Sequence, residues 1–300
     1  MTGSLLPSIW LGAFDCAEQW NRARETQQVP TARRLGGAID DRVLWSRHPM
    51  TLDAWCAGCQ AVQPIQVDWH FGSVGTDGSV HPAWSETAVC KGCGLNSRMR
   101  ALLDRVQHLA LAEQTQVFVA ESITASYRQL ERRFPRLLGS EFLGADHEPG
   151  KSYWNERYQQ EIRHEDLTRL SFEDGRFDLV ITQDIFEHIP DFVRAFAECR
   201  RILRSGGHLV FTVPFRPGLA ATEVRARFDA NGVLEHLLPP EYHGDPIGDG
   251  GVLCFQRFGW DMLDRLREVG FAKAQAHLYW GPWQGHFGFP FFVFQASCAP

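Results

Sequence analysis

Residues 161–215 read EIRHEDLTRLSFEDGRFDLVITQDIFEHIPDFVRAFAECRRILRSGGHLVFTVPF. Two short apolar runs inside it, DLVITQDIF and GGHLVFTVPF, have the composition of strands buried on both faces. Between them EHIPD opens a helix, DFVRAFAECRRIL, which stops at Arg204-Ser205-Gly206-Gly207 before the second run. Upstream, EIRHED is strand-like and ends in the carboxylate of Asp166. Strand, turn, strand, helix and strand follow one another within this window.

The alternation continues outward. Upstream lie VFVAE (117–121), a helix over 124–133 and LLGSEFLGAD (137–146). Downstream lie the helix GWDMLDRLREVG and the strands AKAQAHLYW and FPFFVFQAS. Apolar strands alternating with helices predict an α/β fold with a mainly parallel, doubly wound sheet over 98–300. The aromatic tail LYWGPWQGHFGFPFFVF reads as final antiparallel strands packed in the core. The run RMRALLDRVQHLAL spaces Leu102, Leu103, Val106, Leu109 and Ala110 helically and links this domain to what precedes it.

Residues 51–97 follow another pattern. Cys56-Ala-Gly-Cys59 is followed by the alternating QPIQVDWHF, a turn at VGTDGSVHP, and Cys90-Lys-Gly-Cys93. Two knuckles joined by a hairpin have the layout of a zinc ribbon. Four thiolates supply the closed tetrahedral shell that Zn²⁺ accepts, and a closed shell predicts a structural metal rather than a catalytic one. Cys16, Cys199, Cys254 and Cys298 are scattered and carry no pattern. Residues 1–50, with the polar stretch QQVPTARRLGGAIDD, read as an arm or linker.

Composition excludes some partners. Hydrophobic residues at 44% and charged residues at 22% are ordinary for a globular chain, and a net charge of −6 disfavours nucleic acid. The early run LLPSIWLGAF has no preceding Lys or Arg and is too short to span a bilayer, so a cytoplasmic protein without a membrane partner is expected. A homodimer stays open.

The stretch 161–215 closely resembles the later half of the class I S-adenosylmethionine-dependent methyltransferase domain, of the methyltransferase type 11-like group, and the resemblance extends in outline over 115–300. It implies a Rossmann-like seven-stranded sheet, S-adenosyl-L-methionine as cofactor, and sites at the carboxyl ends of the strands. It places Glu121 near the methionine end of the cofactor, Asp166 and Leu167 at the adenine, and Gln183 and Asp184 beside the methionine and methyl group. The ribose carboxylate is Glu141 or Asp146; Glu141, about 20 residues beyond Glu121, has the better spacing. The family's glycine turn is replaced by Ser-Ile-Thr-Ala-Ser, so Ser122, Thr124 and Ser126 become candidate donors to the cofactor's carboxylate.

Glu187 and His188 read either as an acid and base or as caps of the helix at Asp191. The insert at about 216–258 reads as a substrate lid in which Glu241, Tyr242 and His243 face a small-molecule methyl acceptor, with His243 and His188 the candidate bases. A weaker reading joins His236, His243 and Asp245 in a second metal site. The acceptor expected by analogy is a small polar metabolite, such as a sugar, a cell-surface precursor or a natural-product intermediate. Two other readings stay open. One is an RNA or protein methyltransferase docking through the ribbon, with Arg98, Arg100, Arg105 and the arginines up to Arg136 as a basic face. The other is a non-catalytic binding protein that keeps the fold.

Overall fold

The computed structural model describes residues 10–25, 29, 30, 34, 38, 48–74, 78, 80–248 and 250–300. Most of the expected linker QQVPTARRLGGAIDD, and part of the turn VGTDGSVHP, lie outside the described residues. Of the expected arm, a strand Trp10–Phe14 and a helix Ala17–Ala23 are described. The chain divides into two compact units. One comprises Met1–Phe14, Glu18–Leu111 and Ala276–Val293; the other comprises Asp15–Ala17, Ala112–Gln275 and Phe294–Pro300. The helix expected as a link, Ser97–Gln107, thus belongs to the cysteine unit. Among the described residues no helix is long and apolar enough to cross a membrane.

In the cysteine unit, Met50–Cys56 and Ala61–Val67 pair antiparallel, with Cys56 opposite Ala61, so the first knuckle is itself the turn of the hairpin. Ala88–Cys90 adds a third antiparallel strand and ends on the second knuckle. Ala54, Ile65, Val67, Trp84, Ala88 and Phe287 form the apolar core beneath the sulfurs. Arg100 is fully buried there, and its guanidinium donates to the carbonyls of Ala88 (2.7 Å), Leu95 (2.9 Å) and Gly285 (2.7 Å). A buried cation is tolerated only when its donors are met, which these three carbonyls achieve in part. Ser97 Oγ lies 2.9 Å from Nδ1 of the buried His286, whose pKa burial pushes down to about 3.

The second unit is the α/β domain. Its strands are β1 (Val117–Val119), β2 (Leu137–Gly139), β3 (Phe177–Gln183), β4 (Leu203–Thr212) and the end of β5 (His286–Ser297). They run in the order β2-β1-β3-β4-β5. The first four are parallel, and β5 pairs antiparallel with β4, from His208 opposite Ser297 to Phe211 opposite Phe294. β1 is wholly buried, and so is β3 apart from the half-buried Asp178, as apolar runs without alternation require. Helices α1 (Ala125–Arg133), α2 (Phe192–Ile202) and α3 (Asp261–Glu268) connect or flank them. Thr124 caps α1 by accepting the Tyr127 N–H, and Asp191 caps α2 by accepting that of Arg194. The cap of α2 is therefore Asp191 itself, while Glu187 and His188 sit in a separate 3₁₀ turn, Phe186–His188.

EIRHED departs from expectation. Gln160–Arg163 pairs antiparallel with Ser152–Asn155 in a hairpin of its own, and only one parallel bridge, Glu141 with His164, continues the row beyond β2. The segment has too few apolar residues to be buried on both faces, and Gln160, Glu161 and the tip of the hairpin stay exposed. The insert consists of small antiparallel pairs: Ala226–Phe228 with Leu234–His236, Tyr242–Gly244 with Gly251–Leu253, and Glu223–Val224 with Gln256–Arg257.

Candidate functional site

The chain runs from β1 to β2 on one side and later returns to β3 on the other, so the row reverses direction between β1 and β3. Outside the carboxyl ends of parallel strands at such a reversal is where ligands of open α/β sheets bind. Glu121, just past β1, and Gln183, the last residue of β3, meet there: Gln183 Nε2 donates to the Glu121 carboxylate. Both residues are buried, and Gln183 Oε1 has no hydrogen-bond partner. A buried amide oxygen left open costs about 1–3 kcal/mol unless a donor meets it.

The turn after β1 has no glycine, and its amides are already engaged. Glu141 accepts the Ser122 N–H at 2.6 Å, the Ile123 N–H at 3.3 Å and the Ser122 hydroxyl at 3.3 Å, all on Oε1. The room a glycine turn would have provided comes from the facing strand. A side chain on Gly139 would place its Cβ 2.7 Å from the Glu121 carbonyl oxygen and 3.0 Å from Ser122 Cβ. Gly139 therefore sits at a close approach and needs no unusual φ, a role that the sequence pattern does not reveal. Burial raises the Glu141 carboxyl to about 7 against the opposing pull of these N–H groups. Asp146 is exposed. Of the loop hydroxyls, Thr124 is committed to its cap, and Ser126 is fully buried with its hydroxyl unpartnered.

Asp166 and Leu167 follow the Gln160–Arg163 hairpin. The Asp166 carboxylate accepts the Thr168 N–H (2.8 Å) and hydroxyl (2.7 Å) on Oδ1, and Arg169 lies 3.5 Å from Oδ2. Leu167 is buried beside it. The neighbouring Glu165 is structural: it accepts from Arg163 and from both the N–H and hydroxyl of Ser171.

After β3 the backbone turns through Asp184 at φ 49°, a left-handed conformation that Asp tolerates better than most residues, with its N–H on the Thr212 carbonyl. The turn Phe186–His188 follows, and the insert is fastened to it. Phe255 N–H donates to the Glu187 carbonyl at 2.8 Å, and Gln256 Nε2 donates to the carbonyls of Phe186 (2.6 Å) and Ile189 (2.9 Å). His188 Nδ1 lies 2.9 Å from the Leu253 carbonyl; since a carbonyl only accepts, this nitrogen carries the proton.

The fully buried Glu187 carboxylate lies between both imidazoles, 3.7 Å from His188 Nε2 and 3.5 Å from His243 Nδ1. Burial pushes the Glu187 carboxyl up. His243 is pushed up to about 10, first by Cys254 and then by Glu187. Glu241 is engaged by Arg257, by Arg225 at 3.4 Å and by His243 Nε2 at 3.5 Å. Tyr242 is exposed on its hairpin. His236, His243 and Asp245 are not assembled: His236 is exposed, and the Asp245 carboxylate takes the Ile247 N–H. His243 instead meets His188 and the buried Cys254, a residue whose sequence context carried no signal.

In the cysteine unit, the sulfurs of Cys56, Cys59, Cys90 and Cys93 all lie within 4.8 Å of one another. Cys56 and Cys93 are 3.5 Å apart and Cys59 and Cys90 are 3.8 Å apart. A tetrahedral Zn–S₄ centre with bonds of about 2.3 Å has sulfurs about 3.8 Å apart, far from the roughly 2 Å of a disulfide. The glycines of the two knuckles explain themselves. A Cβ on Gly58 would lie 3.2 Å from the Cys93 sulfur, and one on Gly92 would lie 3.0 Å from the Cys59 sulfur. The donor set and its spacing fit a four-thiolate metal.

Residues 123–211 match the family described as a methyltransferase domain. The chain is similar to a sarcosine/dimethylglycine N-methyltransferase of Halorhodospira halochloris, 51% identical over 120 residues, covering 39% of this chain and 42% of the relative. It is also similar to a phthiotriol/phenolphthiotriol dimycocerosates methyltransferase of Mycobacterium leprae, 32% identical over 100 residues, covering 33% of this chain and 36% of the relative. A solved structure of the Burkholderia thailandensis 1,6-didemethyltoxoflavin-N1-methyltransferase, with 1,6-didemethyltoxoflavin and S-adenosylhomocysteine bound, covers 68% of this chain and 79% of its own at 15% identity and a TM-score of 0.40. The chain spans less than half the length of the curated relatives it matches. Residues 123–211, which contribute α1, β2, β3, α2 and most of β4, are thus the part of the chain that matches the methyltransferase-domain family.

Proposed function

We propose that this protein transfers the methyl group of S-adenosylmethionine to a small polar acceptor. The observation that carries the reading is the pair formed by Glu121 and Gln183 at the reversal point, where a buried amide oxygen lacks a donor. The α-ammonium of the cofactor's methionine is such a donor. Glu141 holds the turn through Oε1, which leaves Oε2 for the ribose hydroxyls, and this favours Glu141 over the exposed Asp146. Asp166 meets the adenine amine through Oδ2, with Leu167 against the ring. The bound cofactor supplies an activated sulfonium, so the protein's work is to align the acceptor and manage its proton.

The acceptor end lies under the insert, where His188, His243 and Glu187 meet. The relatives named for sarcosine and dimethylglycine and for phthiotriol support a small-molecule acceptor. A macromolecular acceptor loses part of its basis, because Arg98 is paired with Glu86 at 3.0 Å and Arg100 is fully buried. The four cysteines hold a structural Zn²⁺.

Calorimetric titration with S-adenosylmethionine and S-adenosylhomocysteine tests the reading. Saturable binding is expected, weakened about ten- to a hundredfold in Glu141→Ala and unchanged in Asp146→Ala. Absence of binding to the wild-type protein would overturn it.

A further inference from the structure

His188, His243 and Cys254 come from three separate places: the turn after β3, one strand of the insert's hairpin, and the residue after the other strand. Each offers one ligand atom, and the three atoms lie within 4.8 Å of one another. The imidazole rings are perpendicular, edge to face, with centroids 5.1 Å apart. Cys254 is buried, and its N–H is fixed to the Glu241 carbonyl at 2.8 Å.

The surroundings are those of ligands prepared for a metal. His188 donates its Nδ1 proton to the Leu253 carbonyl, which turns the Nε2 lone pair toward the cluster. His243 has a carboxylate near each ring nitrogen, Glu187 at 3.5 Å and Glu241 at 3.5 Å, so whichever nitrogen binds a metal, the other has an acceptor. Histidine ligands of metals are oriented in this way by carbonyls and carboxylates behind them. Glu187 is an independent sign. Its side chain is fully buried and neither oxygen has a hydrogen-bond partner, with His188 Nε2 at 3.7 Å and His243 Nδ1 at 3.5 Å from Oε1. A buried carboxylate in that position calls for a positive charge.

We propose that His188, His243 and Cys254 bind a divalent transition metal, zinc by the character of two imidazoles and one thiolate, distinct from the four-cysteine centre. Tetrahedral zinc with these ligands needs donor atoms roughly 3.4–3.7 Å apart, a spacing inside the 4.8 Å that bounds the three. Three protein ligands leave the fourth position open, and catalytic zinc sites have that composition. His243 is partly exposed, which gives the open position a route to solvent. The occupant of that position is the nucleophilic oxygen, nitrogen or sulfur of the acceptor. On binding the metal it loses its proton to solvent and keeps the electron pair that forms the new bond to the methyl carbon, while the bond from that carbon to the sulfonium breaks and S-adenosylhomocysteine leaves with the pair. The metal's presence is independent of the methyl-transfer reading, and the acceptor's place on it rests on that reading.

The test is the metal content of the full chain purified without chelator, measured by mass spectrometry for the wild type and for Cys254→Ala, His188→Ala and His243→Gln. Each variant is expected to carry about one zinc fewer per chain than the wild type, with the circular dichroism spectrum and affinity for S-adenosylmethionine retained. Replacement by Co²⁺ gives a second readout: the thiolate charge-transfer band of the three-ligand site is lost in Cys254→Ala, while that of the four-cysteine centre persists. Folded variants with the wild-type metal count and cobalt spectrum overturn the proposal. If Cys254→Ala fails to fold, the two histidine variants decide by the same count. Loss of one metal in a protein that does not bind S-adenosylmethionine would uphold the metal site and overturn the methyl-transfer reading instead.

Discussion

Gly139 backs onto Glu121: a Cβ at Gly139 would stand 2.7 Å from the Glu121 carbonyl oxygen and 2.3 Å from the Tyr127 ring. The end of β2 thus fixes how closely the turn after β1 approaches its neighbour. Gly139→Ala must displace that turn, and overpacking of this kind costs about 1–3 kcal/mol. The expected outcome is a lower midpoint of thermal unfolding together with weaker S-adenosylmethionine binding. An unchanged melting curve with unchanged affinity would refute this account of the turn.

Glu141 makes the stability of the ligand-free protein depend on pH. Its folded-state value, raised to about 7 mainly by burial, stands above the ordinary carboxyl range, so the folded chain binds the proton more tightly than the unfolded chain. The contribution is therefore present at low pH and declines as pH rises through about 4.5 to 7. Glu141→Gln keeps an acceptor for the Ser122 N–H and removes the charge. Relative to wild type, the variant should gain thermal stability between pH 5 and pH 8. Parallel profiles for the two proteins would contradict the assignment.

Asp166→Asn separates the fold from the ligand. The amide oxygen can still accept from Thr168 as Oδ1 does now, while an N–H replaces Oδ2. Facing the adenine amine, that N–H sets donor against donor. Affinity for S-adenosylmethionine should fall about ten- to a hundredfold at unchanged melting temperature, as read by calorimetry.

Replacing Cys93 by Ser removes one of the four sulfurs and should release the metal held there, measured as zinc lost on dialysis. Because metal affinity at such sites is folding free energy, on the order of 10 kcal/mol or more, the cysteine unit should lose its protection from hydrogen exchange. The parallel strands β1 to β4 should keep theirs. Uniform loss across both units would mean that they do not unfold separately.

Much of this was legible in the sequence, for identifiable reasons. β1, β3 and β4 announce themselves because strands buried on both faces must be apolar throughout, and the paired Cys-x-Gly-Cys spacing is a local chemical signature. Other features depend on contacts between distant segments. Gly139 looks like any glycine at the end of a strand, because its constraint comes from Tyr127 and Glu121 and not from its own φ. Cys254 stood alone because His188 and His243 reach it only through the folding of the insert onto the turn after β3. Arg100 read as part of a basic face, since helical spacing alone cannot distinguish a solvated arginine from one whose guanidinium is enclosed by carbonyls.

Arg100 has one more implication, in time rather than in space. Of its three carbonyl partners, Gly285 lies 185 residues downstream, and the neighbouring Ser97 waits for His286. A ribosome adding roughly 5–20 residues per second produces that carbonyl about 10–40 s after the arginine. By then all the residues of β1 to β4 have been made. The four thiols emerge early with most of the residues that surround them, so the late carbonyl of Gly285 and the ring of Phe287 complete a core that is otherwise made before β1.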